Sequence, residues 1–146
     1  MTEIKSLSGL NCAKRHLRKY PKDGFAWLFY GISQISLARY SSAEKAIRRA
    51  IKLNPASALP NGYTQMGFLF RDKGDLRKAA FWHRKALAKK PNDATCHIFL
   101  GHIAFKRGLR RQAEGHYRNA LKCTQGALDE AYFNLGGILL DRKSVV

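Results

Sequence analysis

A chain of 146 residues with 45% hydrophobic content can bury roughly two thirds of its unfolded surface, which excludes a disordered tail and favours one domain with its own core. Its 27 Lys and Arg against 10 Asp and Glu leave a net charge of +17, a balance suited to acidic protein, nucleic acid or anionic lipid rather than any basic partner. Three cysteines (Cys12, Cys96, Cys123) form no CxxC pair, the N-terminus shows no secretory apolar region and no run approaches membrane-spanning length, so reduced thiols and a cytoplasmic setting are expected.

In chain order, residues 6–19 read as a helix in which Gly9, Ala13 and Leu17 precede Pro21 at a spacing that recurs downstream. Apolar residues at helical intervals predict further helices at 24–38, 41–53, 61–73, 75–89, 95–107, 109–123 and 128–142. Four of these segments align: "AWLFYGISQI" at 26, "GYTQMGFLFR" at 62, "CHIFLGHIAF" at 96 and "AYFNLGGILL" at 131. Their shared glycines, Gly31, Gly67, Gly101 and Gly136, are spaced by 36, 34 and 35 residues. After each of the first three comes an alanine pair seven residues apart: Ala43 and Ala50, Ala79 and Ala86, Ala113 and Ala120. Small residues at these places let two helices approach closely, while Pro55 and Pro91 halt the second helix of units one and two. Each unit is thus a helical hairpin too small to bury its apolar face alone, so the hairpins must stack.

This pattern resembles the tetratricopeptide repeat (TPR): Trp27 and Gly31, Met66 and Gly67, Leu100 and Gly101, and Leu135 and Gly136 fit its first block, and the alanines its second. The resemblance implies an all-α, right-handed solenoid of stacked antiparallel hairpins. Its expected divisions are a partial leading repeat at 6–22, full repeats at 24–57, 60–93 and 94–127, and the first helix of a fourth at 128–146. Gln125 stands where a third proline belongs, and two extra residues lie in "PASALPNG".

Catalytic chemistry is not legible. The five histidines form neither HxxxH nor HExxH, no cysteine pair supplies a zinc knuckle, and GxSxG and phosphate-loop motifs are absent. No metal, no cofactor and no enzymatic activity are expected; His97, at the register of Trp27, is read as filling aromatic space.

Function therefore rests on surfaces. In the family the concave side, lined by the first helices, takes the ligand, and the resemblance places there Phe25, Leu28, Ile32 and Ile35, then Asn61, Thr64, Phe68 and Arg71, then Ile98, His102 and Phe105, and finally Phe133. The carboxylate clamp of co-chaperone members is missing, since the matching places hold Leu28, Ile32, Gln65, Thr95 and Phe99. A mostly apolar groove suits a partner peptide or amphipathic helix. Of the 27 basic residues, six fall in the N-terminal segment 5–22 and 14 on the second helices of the three full units or directly after them, where Arg48, Arg84 and Arg118 share one register and adjoin Arg49 and Lys85. That basic ladder offers two alternative readings, a binder of nucleic acid or acidic protein and an ordinary solvated face. A third alternative is the repeat region of a larger protein. The last helix is apolar nearly all round, so Phe133, Leu139 and Leu140 are expected to dock on a second copy, giving a homo-oligomer, or on a further helix of a longer array. The ending Ser144-Val145-Val146 also resembles tails captured by PDZ domains.

Overall fold

The computed structural model describes residues 2–53 and 59–143, so Pro55 and the tail from Ser144 lie outside the described residues. Among these residues there are eight helices and no β-strand: α1 (Thr2–Lys19), α2 (Gly24–Ser36), α3 (Tyr40–Leu53), α4 (Leu59–Asp72), α5 (Leu76–Lys89), α6 (Ala94–Lys106), α7 (Arg110–Ala120) and α8 (Leu128–Lys143). Helix α1 begins four residues earlier than expected, and α7 stops at Ala120 rather than 123.

Three aspartates start helices by the same device, a carboxylate that accepts a free backbone N–H of the first turn. Asp23 Oδ1 accepts from Ala26 N at 3.1 Å, Asp75 Oδ1 from Lys78 N at 3.0 Å, and Asp93 Oδ1 from Thr95 N at 2.9 Å. The amide of Ala26 and the neighbouring His16 hold the Asp23 carboxyl below its ordinary value.

The turns from α2 to α3, α4 to α5 and α6 to α7 are built alike. Ala38, Gly74 and Gly108 have positive φ (55°, 81° and 74°). In each, the next N–H reaches a carbonyl five residues back: Arg39 to Gln34 at 2.9 Å, Asp75 to Phe70 at 2.8 Å, and Leu109 to Ala104 at 2.9 Å. Each left-handed residue thus closes its helix by satisfying terminal carbonyls and starts the antiparallel return.

The chain forms two compact units, Met1–Trp82 and His83–Val146, whose boundary falls inside α5. In the first, α2 packs between α1 and α3, and α4 packs on α3 and α2. Gly31 lets α2 and α3 meet, for a Cβ there would lie 2.6 Å from Ile47 Cγ1. Ala43, Ile47 and Ala50 are completely buried at that seam. Gly62 repeats the device between α4 and Ile51 of α3, again at 2.6 Å.

In the second unit, α7 packs on α6 and α8, and α6 touches α8. A Cβ on Gly101 would lie 2.5 Å from Tyr117 Cε1, and Ala113, Tyr117 and Ala120 are buried beside it. One apolar cluster joins Ile98 of α6 and Tyr117 of α7 to Ala131, Leu135 and Ile138 of α8. Burial pushes the Tyr117 phenol up to about 12, with a smaller contribution from Glu130.

Gln125, where a third proline was expected, has a structural task of its own. Its carbonyl accepts the Ala94 N–H at 2.8 Å. Beside it Asn92 Nδ2 donates to Thr124 Oγ1 at 2.7 Å, and Thr124 N donates to Asn92 Oδ1 at 3.2 Å. These bonds tie the loops before α6 and α8 together where no proline ring ends the helix.

Candidate interaction surface

Residues assigned to the groove fall in both units. In the first, Phe25 is 53% exposed on α2, with Ile32 and Ile35 half-buried. On α4, Asn61 is exposed, whereas Thr64, Phe68 and Arg71 are half-buried. The Arg71 guanidinium lies 5.2 Å from the Phe68 ring centroid and pairs with Asp72 at 2.8 Å. Phe68 therefore presents an aromatic surface partly roofed by a cation.

In the second unit, His102, Phe105 and Phe133 come together. With Tyr117, Asn134, Gly137 and Ile138 they line a cleft of about 170 Å³. Phe105 is 47% and Phe133 81% exposed. His102 is fixed between edge-to-face contacts with Phe99 and Tyr117, each at 5.8 Å, and lies 3.8 Å from the Glu130 carboxylate. The cleft thus combines exposed aromatic carbon with one imidazole and one acid at its margin.

Two residues assigned to the groove are not on a surface. Leu28 is 7% and Ile98 1% exposed, and Ile98 belongs to the cluster that α8 closes. A first helix buries this register when the next first helix lies against it; at the same register of α8, Phe133 stands open. The expectation for Leu139 is also corrected: it is half-buried against the unit's core, and Tyr132, which the sequence reading passed over, is 64% exposed. Its alignment with Trp27 and His97 was the available signal.

The basic ladder is partly neutralised within its own helices. Arg48 pairs with Glu44 and Arg118 with Glu114, each at 2.9 Å and four residues apart. Arg48 also lies 5.6 Å from the Trp82 ring and Arg49 4.5 Å from the Trp27 ring. Arg84 and Lys85 are exposed on α5.

Three of the histidines, His83, His97 and His116, serve packing. His83 is completely buried and stacks on Phe99 at 5.3 Å, while His97 faces His116 at 5.9 Å. Burial holds both His97 and His116 below the ordinary imidazole value, with the charges of His97 and Arg84 contributing for His116. Among the described residues, no group of three or more His, Cys, Asp and Glu is placed to hold a metal ion. No helix of the described residues is long and apolar enough to cross a membrane.

Solved structures of like fold include TTC0263, a thermophilic TPR protein of Thermus thermophilus, at 19% identity and TM-score 0.76, with 90% of this chain and 71% of that chain covered. Two crystal structures of MamA match at 21% and 22% identity with TM-scores of 0.70 and 0.69, covering 80% and 77% of this chain. The chain spans 63% and 65% of those two MamA chains. No match was found among curated proteins. With the repeated hairpins, these likenesses define an all-α TPR solenoid. Residues 5–129 match the family model described as the Cytochrome c-type biogenesis protein H TPR domain, and the chain belongs to that family.

Proposed function

We propose that the chain is a non-catalytic protein-interaction module that captures an apolar peptide or amphipathic helix on the exposed aromatics of its first helices. The TPR fold supports a protein-interaction scaffold in general. The cleft lined by His102, Phe105 and Phe133 carries the finer reading, because soluble surfaces seldom expose clustered aromatics without a use for them. Phe25 and Phe68 supply comparable aromatic anchors in the first unit. Affinity capture from native lysate at low and high salt, with the parent and a Phe105→Ala, Phe133→Ala double variant, tests the reading. A protein retained at high salt by the parent and lost by a folded double variant supports it. Equal retention by both excludes the cleft. Material that leaves only because of salt speaks for the exposed cations instead, since about six phosphate contacts would give a log-log salt slope near −5.

A further inference from the structure

We infer that the outer face of α1 is a nucleic-acid contact surface, separate from the aromatic cleft, which holds the phosphate backbone without reading bases. Residues 4–22 contain six cations, Lys5, Lys14, Arg15, Arg18, Lys19 and Lys22, and no acid. Lys14, Arg15 and Arg18 line a surface trough of about 730 Å³ together with Ser8, Asn11 and Cys12, and all six residues are exposed. Among the described residues no carboxylate pairs with these three cations, whereas Arg48, Arg110 and Arg118 each face one. The next acid along the chain, Asp23, is taken by His16 at 2.9 Å and by the amide of Ala26. The positive charge that is neutralised on α3 and α7 is thus left open on α1.

The make-up of the trough selects among anionic partners. Arg and Lys with a hydroxyl and an amide are the side chains that contact phosphate oxygens, and on α1 they follow one another at intervals of three or four residues, about one helical turn. A protein partner would need an apolar or aromatic anchor at the centre of its interface, and a lipid surface would need apolar side chains to insert. No lining residue has an apolar side chain larger than that of Cys12, and the exposed Leu7 is not part of the lining. A further helix of the repeat array is disfavoured by the same charge. The seams of this chain bury Ala43, Ile47 and Ala50 or Ala113, Tyr117 and Ala120, whereas a helix laid on this face would take unpaired cations out of water. The face therefore stays wet whatever stretch of chain lies before it. Nucleic-acid interfaces are polar, wet and strongly positive, as this trough is.

The test is fluorescence anisotropy of the whole chain with a labelled DNA duplex and a labelled DNA single strand of arbitrary sequence, over a range of salt. The parent should bind at low salt and release as salt rises. A Lys14→Gln, Arg15→Gln, Arg18→Gln variant should bind about tenfold or more weakly, with a log-log salt slope shallower by about 2–3, and should keep the parent's thermal midpoint because all three side chains are exposed. An Arg110→Gln, Arg111→Gln, Arg118→Gln variant of equal net charge should lose much less. Binding that is absent or insensitive to salt overturns the proposal, and so does equal loss in the two variants, which would make net charge rather than α1 the cause. Polyglutamate or phosphatidylserine vesicles bound as tightly as DNA, and lost in the α1 variant alone, would also overturn it by making an acidic protein or a lipid surface the occupant.

Discussion

Ala38 holds a left-handed backbone that its counterparts Gly74 and Gly108 adopt without a Cβ penalty. That conformation costs an L-residue about 1–2 kcal/mol, part of which glycine's greater unfolded-state freedom offsets. Ala38→Gly should therefore stabilise the chain by about 1 kcal/mol, read as a higher urea midpoint at unchanged slope. The turns were legible only as the gaps between expected helices; the left-handed demand on Ala38 was not, because alanine signals helix and the expected helix ran through it to residue 38. A second test concerns His97 and His116, whose neutral forms the fold favours. Stability from this source is present above the ordinary imidazole value of about 6.5 and is lost as pH falls through the lowered native values. The denaturation midpoint should fall as the pH is lowered from about 7.5 to about 5.5, and a His97→Phe, His116→Phe variant should lose part of that dependence.

Between helices, the recurrent event is a glycine that admits a side chain from the helix after the turn. A Cβ at Gly101 would overlap the buried Tyr117 ring, so Gly101→Ala should cost about 1–3 kcal/mol through forced repacking. The same change at Gly136 meets open space and removes a glycine from a helix interior, so Gly136→Ala should stabilise by about 0.5–1 kcal/mol. Thermal melts of the two variants check the contrast, and equal effects would show that the register does not carry the packing. The sequence placed both glycines in one register, and helical period set their faces. It could not distinguish a filled notch from an open one. It likewise placed Leu28, Ile98 and Phe133 in one register, and only the neighbouring helix decides that the first two are buried and the third exposed.

For the whole molecule, a net charge of +17 invites an electrostatic function, but Arg48 and Arg118 already face carboxylates on their own helices. Exposed pairs of this kind contribute little stability, about 0.3–0.5 kcal/mol each, so their main effect is to lower the local positive field. A Glu44→Gln, Glu114→Gln variant should gain affinity for a generic polyanion such as heparin while losing no more than about 1 kcal/mol of stability. Retention on a heparin column checks this, and unchanged elution would show that these acids do not mask the ladder.

The amino-acid sequence alone determined the helical hairpins, their period, the family resemblance and the places where helices approach, because each depends on local spacing of small and apolar residues along one chain. Tertiary structure alone decided which of those places are occupied. Burial is a property of what lies across the seam: Ile98 disappears under α8, His102, Phe105 and Phe133 gather into one cleft, and Gly136 and Tyr132 remain open. No periodicity within a helix records whether another helix has been laid against it.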